Sequence, residues 1–135
     1  MAMSLRRLHH VQVLCPPGAE AEARRFYGTL LGLAEIPRPA TLERGGVWFS
    51  LADHAELHVG ARRADDLPAR SRAHFAIELD DLHMVIRRLQ EANVPLLEAP
   101  CIPGVMRLYA IDPFDNRIEL MQRIDEDSSS RESTQ

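Results

Sequence analysis

The sequence contains no lysine, so all 16 of its basic residues are arginine, and 20 acids outnumber them. The arginines are interleaved with acids such as Glu20, Glu22, Asp65 and Asp66 rather than gathered in a patch. Together with a net charge of −4, this argues against a nucleic-acid partner, whose phosphates need clustered cations. Cysteine is scarce as well. Cys15 and Cys101 stand far apart without CxxC spacing, so a disulfide framework is not expected and both read as reduced thiols. No run approaches the roughly 18 apolar residues of a membrane span, and the opening MAMSLRRLHHVQV lacks a signal-peptide core. No membrane partner is expected, and the cytoplasm is the expected location.

What is present is ordinary for a globular chain: 45% hydrophobic and 27% charged residues over 135 positions, enough for one compact domain. Residues 1–6 read as a loose lead-in and 7–123 as a single domain. The stretch 124–135, IDEDSSSRESTQ, is polar and aperiodic and reads as a disordered tail.

Inside the domain one pattern occurs twice. Leu8–Leu14 alternates apolar and polar residues as a half-buried strand does, and Pro16-Pro17-Gly18 breaks it. Ala19–Leu31 follows as an amphipathic helix with acids in its first turns. Phe26, Leu30 and Leu33 are expected on its core face, and Gly32 ends it. A short strand near Leu33–Ile36, a proline-containing loop and a hairpin of Val47–Leu51 with Ala55–Gly60 complete the unit. The second copy has a strand at His74–Leu79 and a helix at Leu82–Ala92 that Asp80-Asp81 can cap. A strand at Val94–Glu98 and a loop with Pro100 and Pro103 come next, then a hairpin of Val105–Ile111 with Arg117–Met121 across the turn DPFDN. The modules are thus 7–60 and 72–123, each βαβββ, with a charged, proline-containing linker at 61–71. The fold class is α+β.

Strand side chains alternate between faces, so parity sorts them. Val11 with Val13, Phe75 with Ile77 and Leu79, Leu57 with Val59, and Ile118 with Leu120 form the apolar sets that cover the helices. On the opposite faces His10 matches His74 at a separation of 64 residues, and His58 matches Glu119 at 61. Three imidazoles and one carboxylate on a single concave face suit a divalent zinc, nickel, manganese or iron ion. An ion so held acts as a Lewis acid on substrate oxygens. By the same parity His9 points the other way, while His54 in a turn and His83 at a helix start are expected to be solvated.

The segments LHHVQV, ARRFYGTLLGL, GVWF followed by AELHVG, HFAIEL with DDL, and the closing RLYAIDPFDNRIEL resemble the vicinal oxygen chelate superfamily. That group includes glyoxalase I, methylmalonyl-CoA epimerase, extradiol dioxygenases, fosfomycin-resistance thiol transferases and bleomycin-binding proteins. The resemblance covers roughly residues 7–123. It implies an eight-stranded, strongly curved mixed sheet around a cavity, with helices outside. It implies metal ligands at His10, His58, His74 and Glu119, the subset His10, His74 and Glu119 matching a two-histidine, one-carboxylate iron site. Glyoxalase-like enzymes generally carry Glu or Gln where His58 stands, and Glu56 lies two residues earlier on the same face. Tyr109, Arg107, Trp48, Ser50 and Arg117 are expected to contact substrate.

Three functions are weighed. A metal-dependent lyase, isomerase or ring-cleaving dioxygenase would act on a small substrate with two neighbouring oxygens, with Glu56 or Glu119 moving the proton and Tyr109 assisting. A metal-free protein sequestering a drug or hydrophobic metabolite, of the bleomycin-resistance type, is the alternative, although aromatics make up only 5% of the chain. A thiol-linked antibiotic transferase ranks last, because no potassium-binding loop or cationic phosphonate pocket is evident. A small-molecule substrate and a homodimer are the expected partners.

Overall fold

The computed structural model describes residues 3–63 and 72–124. Most of the expected linker, residues 64–71, and the expected tail from 125 onward lie outside the described residues, as do residues 1 and 2 of the lead-in. The chain divides into two compact units, Met1–Ala69 and Arg70–Gln135. Among the described residues no helix is long and apolar enough to cross a membrane.

The first unit runs β1 (His10–Cys15), α1 (Glu20–Ala23) continuing as a π-helical stretch (Arg24–Leu30), β2 (Glu35–Ile36), β3 (Gly46–Ser50), a 3₁₀ turn (Ala52–His54) and β4 (Glu56–Ala61). Its sheet has the order β1-β4-β3-β2, with β1 and β4 parallel and the other pairs antiparallel. The second unit runs β5 (His74–Glu78), α2 (Leu82–Glu91), β6 (Leu96–Glu98), β7 (Val105–Ile111) and β8 (Arg117–Arg123). Its order, β5-β8-β7-β6, has the same pairing senses. The βαβββ repeat is therefore real. The single eight-stranded, strongly curved sheet is not what forms: the eight strands are divided into two four-stranded mixed sheets. The reason is local. The parallel pairing of first and last strands completes the ladder of each module from its own four strands.

The first helix departs from its sequence reading. Its last turns widen, so that the Leu31 amide bonds the Phe26 carbonyl five residues back at 3.0 Å. Within this stretch the consecutive residues Phe26 and Tyr27 are both buried. Phe26, Tyr27 and Phe49 form a ring cluster with centroids 4.8 and 5.9 Å apart, and Leu31, rather than Leu30, joins the core. The helix ends at Gly32, whose φ of +79° is free for glycine alone.

Elsewhere local chemistry acts as the residues dictate. Asp81, not Asp80, caps α2, its carboxylate accepting from the Met84 amide at 3.1 Å. Leu82, Val85 and Leu89 then face the core with Ile118 and Leu120 of β8 buried in the same unit. The DPFDN turn is built on Asp112, which accepts from the amides of Phe114 and Asn116 and from the Asn116 side chain, each at 2.8 Å. Cys15 is buried and Cys101 exposed, and neither is in a disulfide.

Candidate functional site

Strand register orders the polar face of the first sheet into rows. His10 pairs with Glu56, and Glu56 with Ser50, while Gln12 pairs with His58, and His58 with Trp48. The opposite parity supplies Leu57 and Val59, both fully buried. His58 is itself 5% exposed, because its ring is sandwiched. Trp48 stacks on one side at 3.6 Å with planes within 5°, and His10 stacks on the other at 4.1 Å and 19°. The His58 Nε2–H donates to Glu56 Oε1 at 2.9 Å. This hydrogen bond is the main reason that the Glu56 carboxyl titrates below its ordinary range. The exposed His10 meets His9 through their Nδ1 atoms at 3.0 Å, so His9 does not turn wholly away as parity suggested. Loss of water around the ring, followed by its histidine neighbours His58 and His9, lowers the His10 pKa and favours the neutral imidazole, a form with a free lone pair. Ser50 is placed on this face, with its hydroxyl 3.4 Å from the Leu51 carbonyl.

The second unit gathers His74, Glu119, Arg107, Tyr109 and Arg117. Glu119 is buried and pairs with Tyr109 on one side and Ala76 on the other. Its Oε1 lies 3.2 Å from His74 Nε2 and accepts from Arg107 Nη1 at 3.1 Å. Arg107 also donates to the Pro100 carbonyl through Nε at 3.0 Å and Nη2 at 2.6 Å. The Tyr109 ring is edge-on to His74 at 5.1 Å, and the Arg117 guanidinium lies over it at 4.9 Å. Arg117 Nε is buried with no hydrogen-bond partner among the described residues.

His74 has a constraint that its sequence position does not reveal. Its Nδ1 is 2.9 Å from the Arg72 carbonyl oxygen, and its Nε2 faces the Glu119 carboxylate. Both neighbours are acceptors. A neutral imidazole has one N–H and one lone pair, so either tautomer leaves a lone pair against an oxygen. A proton on each nitrogen, or a cation at Nε2, satisfies both contacts.

The expected ligands therefore occur as pairs within units: His10 with His58, and His74 with Glu119. Among the described residues no group of three or more His, Cys, Asp or Glu side chains is placed to hold a metal ion. Within the first pair the near-parallel stacking matters. Imidazole lone pairs lie in the ring plane, so two rings stacked at 4.1 Å do not aim at one ion as they stand. The 3.2 Å separation of His74 Nε2 and Glu119 Oε1, by contrast, is the bite of two neighbouring ligands each about 2.1 Å from a metal. Sequence reasoning missed the Arg107–Glu119 ion pair and cast Arg107 as a substrate contact. The β7–β8 register would have revealed it, since Arg107 sits one same-face step from Tyr109, the partner of Glu119.

No family model matches the chain. It is 38% identical to a protein from Bacillus anthracis assigned to the glyoxalase family, whose solved structure matches with a TM-score of 0.81 over 91% of this chain and 99% of that one. It is 27% identical over 127 residues to glyoxylase I 4 of Arabidopsis thaliana, covering 87% of this chain and 71% of that protein. A glyoxalase/dioxygenase from Nostoc punctiforme, 20% identical, has the same fold with a TM-score of 0.73 over 93% of this chain and 98% of that one.

Proposed function

Since this chain belongs to the glyoxalase, or vicinal oxygen chelate, superfamily, we propose that it is a metal-dependent enzyme acting on a small substrate with two neighbouring oxygens. The reaction class is that of a lyase, an isomerase or a ring-cleaving dioxygenase. The observation that carries this reading is His74, whose Nε2 faces the Glu119 carboxylate at 3.2 Å while its Nδ1 is held by the Arg72 carbonyl, an arrangement that a metal ion at Nε2 would suit. Imidazole and carboxylate donors suit first-row divalent ions. We assign His74, Glu119 and His10 as the ligands. His10 is preferred to His58 because it is exposed and free to turn, whereas His58 is held by Trp48 and Glu56.

When bound, the metal would polarise the substrate oxygens as a Lewis acid. The chain's own residues do the rest. The Glu56 carboxylate, kept ionised by the His58 hydrogen bond, accepts the substrate proton at its free oxygen. Arg107 fixes the rotamer of Glu119 by donating to the same oxygen that faces His74. The Arg72 carbonyl does the same for His74. Tyr109 packs on His74 and holds Arg117, whose guanidinium lies over its ring. A homodimer belongs to the same reading, because the first strand of each unit stands at a sheet edge with one ladder side open among the described residues.

Elemental analysis of the purified protein tests this directly. Zinc, nickel, manganese or iron should co-purify, and His10→Ala with His74→Ala should abolish its retention. Metal-free protein that takes up no ion from solution would remove the proposal. One observation favours the alternative, a metal-free binding protein: the Trp48–His58–His10 stack ties up two of the four expected donors in ring contacts. Tight ligand binding that survives chelation, without turnover in metal-loaded protein, would select that reading.

A further inference from the structure

The first unit contains a cavity of about 290 Å³, near the lower end of small-ligand pockets, that the ligand set and its neighbours do not use. Three arginines line it, Arg38, Arg44 and Arg62, together with Trp48, Gln12 and Gly60. Glu43 is its one acidic lining residue, so the wall carries an excess of positive charge in a chain that is negative as a whole. None of the three guanidinium groups is within ion-pair distance of a carboxylate among the described residues. Arg38 and Arg62 are nonetheless half-buried. Arginine forks of this kind match carboxylate and phosphate oxygens, two contacts at a time.

The placement of the pocket is as informative as its charge. Gly60 is two residues beyond His58 in β4, hence about 7 Å further along the same face of the sheet. A Cβ at Gly60 would meet Arg62 Nη1 at 3.3 Å and the Gln12 carboxamide at 3.4 Å, so those two side chains converge over the space that glycine leaves. Arg38 sits between Pro37 and Pro39, which stiffen the loop that presents it. Trp48 lines the cavity and is covered on one ring face by His58, which stacks in turn on His10, so a ligand on the free face of Trp48 lies at the end of the stack that leads to His10.

We propose that this cavity is an anion-binding subsite that selects substrates bearing a carboxylate or phosphate, joined through a flat group on Trp48 to the end that reaches His10 and Glu56. The inference names the substrate class for the reading above. Binding of the anion itself needs no metal, so the two claims fail separately. Guanidinium groups without a carboxylate partner among the described residues raise the local concentration of anions and orient them, and Trp48 supplies the apolar contact beside them.

Trp48 is the sole tryptophan, which makes it a reporter within the pocket. Full-length protein in excess chelator is titrated with phenyl phosphate, benzoate and benzyl alcohol while tryptophan emission is followed. Phenyl phosphate and benzoate should change the emission saturably, and the neutral alcohol should not do so over the same range. Whichever anion binds more tightly identifies the head group. Arg38→Gln with Arg44→Gln, and separately Arg62→Gln, should each weaken anion binding by about tenfold or more. His74→Ala, which lies in the other unit, should leave anion binding in chelator unchanged, and in a separate measurement without chelator it should lose metal. Equal response to the alcohol and the anions, or arginine variants that bind the anions as tightly as the unchanged chain, would overturn the proposal.

Discussion

Glu119 is the residue on which most of the second unit's polar face depends. It is buried, and one of its oxygens serves both His74 and Arg107, whose side chain is only 11% exposed. Removing one partner of such a pair leaves the other charged and desolvated. Glu119→Leu should therefore destabilise the protein by about 3 kcal/mol. The double variant Glu119→Leu with Arg107→Leu should recover much of that loss, as a shift in the urea midpoint would show. Parity alone made the four expected ligands legible, because it needs only the strand boundaries. It did not reveal that Arg107 and Glu119 touch, since that depends on the hairpin register. Nor did it reveal the stacking of His58 between Trp48 and His10, which depends on ring rotation that no spacing encodes. His58→Ala should therefore alter the Trp48 emission maximum even where secondary structure is unchanged, whereas an unshifted spectrum would contradict the stack.

Elements were legible in proportion to how local their causes are. β7 occupies the range Val105–Ile111 read from alternation, and α2 starts where its aspartate cap placed it. The DPFDN turn forms for the reason its residues suggest, through the Asp112 carboxylate. Asp112→Ala should cost about 2 kcal/mol in equilibrium unfolding, because two buried-side amides and a carboxamide lose their acceptor together. Asp81→Ala, with one amide affected, should cost about 1 kcal/mol. A reversal of that order would mean that the cap, not the turn, anchors the second unit. The first helix was the failure at this scale. Its buried residues Ala23, Phe26, Tyr27 and Leu31 keep to one helical face, and the chain widens into π geometry between Phe26 and Leu31. A count of four residues from Phe26 points to Leu30, whereas the wider turn brings Leu31, five residues on, into the core.

At the scale of the whole chain, duplication is the organising fact, and it was visible from matched spacings near sixty residues. Each copy builds its own four-stranded sheet and its own core, and each places a histidine on its first strand and an ionisable residue on its last. The copies are not equivalent in detail. One holds its histidines in an aromatic stack beside an arginine-lined cavity, while the other presses a histidine between a carbonyl and a carboxylate. The most direct test of the proposed metal ligands is zinc or nickel titration by calorimetry into chelator-stripped protein, with His10→Ala and His74→Ala measured beside it. The account predicts saturable, stoichiometric binding, weakened by at least about tenfold in each variant. Binding that is absent from the unchanged chain, or equally tight in both variants, would contradict it.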